Sequence, residues 1–435
     1  MIDGRQHHDE RAAARERIAP GYTQQDSLPP VPWDDGEGVR ISGLDVFVVA
    51  PDGVNLVVVR VRTTTDGLVG WGCATFTQRA FAVASVIETY LAPLVTGRSV
   101  HDITDVWLTT TVDSYWRGGP VLNSALSGID QALWDIKGKL AGVPVWQLLG
   151  GRVRTVAEAY THASGRDVAE LADQVEQCIE AGYRHVRCQI TVPGTATYGA
   201  AQQSSRDVFW DPDAYVRLLP RVFEGLAERF GGRVRLIHDI HERLAPADAV
   251  GLVRALEPYD LLFVEDPVAP EDVEWLRRIR ESTTVPLAFG ELITDPARYL
   301  PLMSERLIDF VRCHISAIGG LTPAIRLASL AEAYGVRTAW HGPRDVSPIG
   351  HAANLALDIA SPAFGIHEHF EFSDAARELF PGTPVTVDGA LAPTEGAGLG
   401  VELDERGAAA HPPVSATTNW HYSRVRRRDG ASQRP

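Results

Sequence analysis

Three carboxylates each close a short apolar run: Val234-Arg-Leu-Ile-His-Asp239, Leu261-Leu-Phe-Val-Glu265 and Pro286-Leu-Ala-Phe-Gly-Glu291. Asp239 stands 26 residues before Glu265, and Glu265 stands 26 before Glu291. A β-strand with its crossover helix fills about that length, so each interval reads as one βα unit. In a closed parallel barrel, successive units deliver their strand ends to one mouth, where barrel enzymes keep their chemistry. A single carboxylate at such a place is as readily the N-cap of the next helix. Three at equal spacing form instead a set of hard oxygen donors with no soft partner. That set suits Mg2+, with water and substrate completing the coordination.

A divalent ion held this way can bind a substrate carboxylate and stabilise its doubly charged enediolate form. The proton next to a carboxylate is very weakly acidic, so this electrostatic help is the main requirement. A base must then reach that carbon, and an acid must assist any departing hydroxyl. Other polar residues fall at the same level of the predicted strands. His162 ends the first, Arg187 and Gln189 lie on the second, and His241 follows Asp239 by two positions. Arg312 and His314 lie on the sixth, His341 ends the seventh and Glu368 ends the eighth. Neutral histidine is one candidate for proton transfer. Tyr198 is another, because an adjacent arginine such as Arg187 lowers a phenol pKa.

The elements that must position these groups alternate strictly. Candidate strands begin near Val156, His185, Val234, Leu261, Pro286, Phe310, Arg337 and Phe364, mostly 24 to 29 residues apart. Eight such units predict a (β/α)8-type (modified TIM) barrel over residues 153–378. A doubly wound sheet would show a glycine-rich phosphate loop after its first strand, and Ala163-Ser-Gly165 is not one. One interval of 49 residues locates an insertion at about residues 191–212, a loop on the catalytic face that contains Tyr198. Ahead of the barrel, alternating runs at 43–49, 55–62 and 68–72 precede helical patterns at 81–95, 99–114 and 121–141. They predict an α+β capping domain over residues 39–152. Residues 1–38 read as a flexible extension, and residues 379–435 as a segment folding back on the barrel or cap.

The formal charge of −15 argues against a nucleic-acid surface. Arg424 to Arg428 is the one basic run, and it reads as a solvated tail. Four scattered cysteines without a CxxC pair point to reduced thiols in the cytoplasm. No apolar run is long enough to span a membrane.

These residues resemble the enolase superfamily and, within it, the mannonate dehydratase group that includes proteins named as starvation-sensing. The motifs carrying the resemblance include Tyr115-Trp-Arg-Gly-Gly-Pro120, Val186-Arg-Cys-Gln189, His238-Asp-Ile-His-Glu-Arg-Leu244, Glu265-Asp-Pro267, Arg312-Cys-His-Ile-Ser316 and Trp340-His-Gly-Pro343. The resemblance implies Mg2+ ligands at Asp239, Glu265 and Glu291, a Tyr198 base paired with Arg187, and a His241 acid. It implies substrate contacts at His162, Arg312, His341, Asp345, Glu368 and Glu291, and at Thr77, where the group usually carries asparagine. The implied reaction is loss of water from a sugar acid such as D-mannonate or D-gluconate, giving a 2-keto-3-deoxy acid, in a homo-oligomer. Alternatives within the fold are a weakly active or regulatory protein and an acid-sugar epimerase. Arg187-Cys-Gln189 stands where lysine-base branches carry Lys-x-Lys, which disfavours their chemistry.

Overall fold

The computed structural model describes residues 31–191, 209–415 and 426–432. It begins with an antiparallel sheet of β1 (Ile41–Val49), β2 (Leu56–Thr63) and β3 (Val69–Cys73), in that order. Period-two alternation sorts the side chains of β2. Val57, Val59 and Val61 pack with Ile129, Leu133 and Ile136, while Val58 joins Trp71 in a separate cluster. Helices α1 (Ala80–Val86), α2 (Ala92–Val95), α3 (Ile103–Val112) and α4 (Pro120–Ala141) follow. Helix α4 lies against β3 and completes its hydrogen bonding. Trp71 N–H donates to Asp135 Oδ2 at 3.0 Å, and Cys73 N–H to Gln131 Oε1 at 3.1 Å. The approach depends on glycine, since a Cβ at Gly72 would lie 2.0 Å from the Gly128 carbonyl oxygen.

After the short α5 (Val145–Leu148), strand and helix alternate. The order is β4 (Ala157–Gly165), α6 (Val168–Glu180), β5 (His185–Ile190), α7 (Pro212–Phe230), β6 (Arg235–Asp239) and α8 (Pro246–Leu256). Next come β7 (Phe263–Glu265), α9 (Trp275–Ser282), β8 (Leu287–Phe289), α10 (Tyr299–Ser304), β9 (Phe310–Val311) and α11 (Leu321–Tyr334). The series ends with β10 (Arg337–Thr338), α12 (Pro348–Ala360) and β11 (His367–Glu368). Strands β4 to β10 pair in sequence order, all parallel. Thr338 bridges to Phe364, and β11 pairs with β4, so the sheet closes on itself. The fold is the expected modified (β/α)8 barrel with an N-terminal α+β cap.

The barrel is filled at its centre by Tyr160, Ile237, Phe263, Ala288, Phe310, Ala339 and Ile366. Two positions further along their chains stand His162, Asp239, Glu265, Gly290, Arg312, His341 and Glu368. Side chains two apart on a strand share a face, so an apolar plug at one level becomes a polar ring at the next. This period-two step is what carries the site residues to one mouth.

Beyond β11 the chain continues through α13 (Asp374–Leu379) to a hairpin of β12 (Thr386–Val387) and β13 (Ala390–Leu391). Strand β13 adds antiparallel to the start of β4. Leu399 N–H donates to Asp135 Oδ1 at 2.7 Å in the cap, and α14 (Glu405–Ala408) follows. The basic run departs from the expected solvated tail. Arg426 to Arg428 have exposed side chains, but Trp210 N–H donates to Arg426 O at 2.7 Å. An Asp429-Gly430 turn folds Ser432 back onto Arg426. The tight turn brings backbone donors and acceptors into register, which charge patterning does not reveal.

Asp130 fastens cap to barrel. The N-cap of α11 is Gly320, which has no side chain, and Asp130 of α4 acts in its place. It accepts from Thr322 N–H at 2.9 Å and from the Thr322 hydroxyl. Burial pushes the Asp130 carboxyl up to about 7, against the pull of the Thr322 hydrogen bonds. A folded-state pKa raised above the unfolded value means the native state binds the proton more tightly. Stability is therefore lost as pH climbs from about 4 to about 7. Asp130→Asn keeps an acceptor for Thr322 N–H and cannot ionise. Its melting temperature relative to the parent is expected to rise across that window and level off above it. Thermal denaturation at pH 4.5 and pH 8 measures this, and equal differences at both pH values would remove Asp130 ionisation from the stability of the joint.

Candidate active site at the barrel mouth

Asp239 and Glu265 end adjacent strands β6 and β7 and lie directly across from one another in the ladder. Glu291 follows β8 after Gly290, whose φ of +121° and contact with the Tyr299 ring exclude a side chain. Carboxylate oxygens of Glu265, Asp266 and Glu291 lie within 4.8 Å of one another, as do donor atoms of Asp239, His241 and Glu291. The two groups share Glu291. Joined, they contain the three predicted ligands together with His241 and Asp266.

Two buried guanidinium groups partly balance these charges. Arg312 is fully buried, donating through Nε to Glu265 Oε1 at 2.7 Å and through Nη2 to Glu368 Oε2 at 2.9 Å. Its Nη1 donates to Ala339 O at 2.8 Å. Arg187 Nη1 donates to Asp239 Oδ2 at 2.9 Å and stands 3.7 Å from Glu368 Oε1. Glu368 also meets His162 Nε2 at 2.8 Å and accepts from Gly342 N–H at 2.6 Å. Burial alone would raise the Glu368 pKa, but Arg312 and His162 outweigh it and hold the carboxyl well below its usual range.

The residues fit a divalent cation. Glu265 Oε2 is buried without a hydrogen-bond partner, and Arg187 Nη1, at 3.6 Å, is beyond hydrogen-bonding reach. Burial pushes the Glu265 carboxyl up to about 8, with Arg312 opposing and Asp239 adding to the rise. Glu291 is raised well above its ordinary value by burial and by Asp239, Asp266 and Glu265. Asp239 is held low; burial opposes this, and His241 and Arg187 outweigh it. Converging carboxylates with an orphaned oxygen are what a hard ion relieves.

The other predicted residues distribute around this centre. His241 Nε2 lies 2.8 Å from Asp239 Oδ2, and its backbone N–H donates to Asp239 Oδ1 at 2.9 Å. His241 and Glu242 both adopt positive φ, a turn that folds the ring back over the end of β6. Burial lowers the His241 pKa, while Asp239 works to raise it. His341 Nε2 stands 3.5 Å from Glu291 Oε2, and its ring is 5.5 Å from that of His314. Asp345 has a buried Oδ1 without a partner, and burial pushes its carboxyl up to about 6. Thr77 lies on the cap in the turn after β3, its buried Oγ1 likewise without a hydrogen-bond partner. Tyr198 lies outside the described residues.

Sequence reasoning passed over Asp266. Its carboxylate accepts from Gly290 N–H at 2.7 Å and from Glu291 N–H at 3.2 Å, so it holds the turn that presents Glu291. Its place in Glu265-Asp-Pro267 was the available signal. Gln189, noted only as a neighbour of Arg187, donates to Asp239 O at 3.0 Å.

Two family models cover nearly the whole of the cap and barrel. Residues 46–150 match the mandelate racemase / muconate lactonizing enzyme N-terminal domain, and residues 170–407 match the enolase C-terminal domain-like family. The chain belongs to the enolase superfamily. Its relatives there include D-galactonate dehydratase family members. The protein of that name from Catenulispora acidiphila is 48% identical over 93% of this chain and 96% of its own length. One from Pantoea ananatis is 44% identical over 91% of this chain and 99% of its own. A crystal structure of an enolase from Pantoea ananatis with bound D-gluconate and Mg superposes with a TM-score of 0.87 at 42% identity. It covers 92% of this chain and 100% of its own.

Proposed function

We propose that this protein is a Mg2+-dependent sugar-acid dehydratase, removing the proton next to the carboxylate and expelling the 3-hydroxyl to give a 2-keto-3-deoxy acid. The observation that carries the reading is the partnerless Glu265 Oε2, buried beside the Asp266 and Glu291 carboxylates. The D-galactonate dehydratase name of the relatives and the D-gluconate and Mg of the Pantoea structure support the same class. D-Gluconate and D-mannonate are the first substrates to test.

Asp239, Glu265 and Glu291 would hold the ion. Bound there, Mg2+ supplies positive charge where the substrate carboxylate gains negative charge as its α proton leaves. Arg187 holds Asp239 in place, and Arg312 holds Glu265 and keeps Glu368 ionised. Tyr198, paired with Arg187, is the proposed base. His241 is the proposed acid: the Asp239 carboxylate, 2.8 Å from its Nε2, favours the protonated ring, from which a proton can pass to the leaving hydroxyl. His162, Arg312, His341, Asp345, Glu368, Glu291 and Thr77 are the proposed substrate contacts. The same reading makes the enzyme a cytoplasmic homo-oligomer, and its four free thiols support a reducing compartment.

Incubation with a panel of hexonates and pentonates plus Mg2+, scored for keto-deoxy product by semicarbazide absorbance, tests the class. Absence of product from every acid sugar, with Mg2+ still bound, would sink it. Solvent deuterium entering recovered substrate without dehydration would point to epimerisation instead. Assignment of the acid is tested separately. His241→Asn is expected to slow dehydration by ~10²-fold while solvent exchange at the α carbon persists. Parallel loss of exchange and dehydration would move His241 from acid to base or to a positioning role.

A further inference from the structure

The pairing of β5 with β6 stops short of the mouth. Its last aligned residues are Arg187 and Ile237, one and two positions before the carbonyls of Cys188 and Asp239. Just beyond this end, the Arg187 guanidinium donates to the Asp239 carboxylate inside the barrel. Buried carbonyls past the end of a ladder need other donors. Side chains supply them. His238 Nδ1 lies 3.0 Å from Cys188 O, and Gln189 Nε2 donates to Asp239 O at 3.0 Å. Each strand thus sends one side chain to the backbone of the other.

His238 is fully buried and turned outward from the barrel, opposite to Asp239. A carbonyl can only accept, so Nδ1 carries the proton and Nε2 is the acceptor. The Tyr215 hydroxyl, 2.7 Å from Nε2, therefore donates to it. Tyr215 itself packs against buried Trp210 with ring centroids 5.1 Å apart and planes tilted by 53°. Trp210 is in turn bonded to the C-terminal hairpin through Arg426 O. Phe223 of α7 meets the His238 ring edge-on at 5.2 Å and closes the remaining side.

We propose that Tyr215 and His238 are positioning residues, fixing β6 against β5 so that Asp239 and Arg187 keep their geometry, with Trp210 and the hairpin at 426–432 as the outer brace. The inference rests on the metal reading above, because Asp239 is there a ligand. Groups that orient a metal ligand typically contribute 10- to 100-fold in affinity or activity.

The test uses the full-length chain and Mg2+ alone, titrated by calorimetry. Tyr215→Phe leaves the ring and its packing but deprives Nε2 of its donor. A Kd for Mg2+ raised by ~10-fold, with the melting temperature nearly unchanged, is expected. His238→Asn places an amide N–H near the position of Nδ1 and should retain tighter Mg2+ binding than His238→Leu, which fills the space without a donor. Deletion of residues 426–435 should weaken binding in the same direction as Tyr215→Phe. Parent-like Kd in Tyr215→Phe, or equal Kd in the Asn and Leu variants, would overturn the proposal. If the parent itself bound no Mg2+, the metal reading would fall by itself. Amide hydrogen exchange over 187–190 and 237–240 then decides: faster exchange in Tyr215→Phe supports the brace, and unchanged exchange refutes it.

Discussion

Glu265→Gln is expected to abolish measurable Mg2+ binding and turnover while leaving the metal-free protein at least as stable as the parent. The side chain keeps its shape, and Gln Oε1 still accepts from Arg312 Nε. What disappears is the capacity for one negative charge in a buried set that includes Asp239, Asp266, Glu291 and Glu368, only partly balanced by two guanidinium groups. Burial already disfavours that charge in the metal-free protein, so its loss costs little there, while the loaded protein loses a ligand charge. A ligand that binds only the native state stabilises it by about 2.7 kcal/mol at a hundredfold excess over Kd. The parent should therefore show a clear rise in melting temperature with Mg2+, and the variant none. A variant that is shifted by Mg2+ as far as the parent would take Glu265 out of the coordination sphere. A variant that melts much lower without metal would show that Glu265 is needed for the Arg312 network rather than for the ion.

The second large effect concerns the base. Tyr198→Phe should lower kcat by ~10²-fold or more, the scale of losing a positioned base, with Mg2+ affinity unchanged. Arg187→Lys should also lower kcat, by less. A lysine keeps the charge but not the planar guanidinium, whose Nη1 donates to Asp239 and lies 3.6 Å from Glu265 and 3.7 Å from Glu368. If Tyr198 only anchored its loop, the Phe variant would raise KM and leave kcat near the parent value. That outcome would return the base role to the histidines at the strand ends. Its separation from the Glu265 test is clean, because one variant should lose the ion and the other should keep it.

Much of this molecule was legible from residue order. Equal spacing of Asp239, Glu265 and Glu291 follows from the near-constant length of a βα unit, so the barrel and its acidic mouth could be read directly. Period-two placement of Tyr160 and His162, or Ile366 and Glu368, is likewise written along each strand. The family motifs added roles that spacing does not contain. Arg312 was legible as a polar residue at the mouth, but not as the bridge between Glu265 and Glu368. These residues lie 47 and 56 positions away from it, and only closure of the barrel brings them together.

Tertiary structure also decided the contacts that have no local signature. Asp130 caps a helix 192 residues downstream because Gly320 cannot cap its own. The basic run near the C-terminus carries charges that suggest solvent, yet its backbone is bonded to Trp210. Asp266 looked like one letter of a motif until its carboxylate was seen to hold the Gly290–Glu291 turn. Local periodicity determines which face of an element is apolar and which residue ends it. Which distant donor meets which orphaned acceptor depends on where each ladder of the closed sheet ends and how the cap seats, and those are set by packing among elements far apart in the chain.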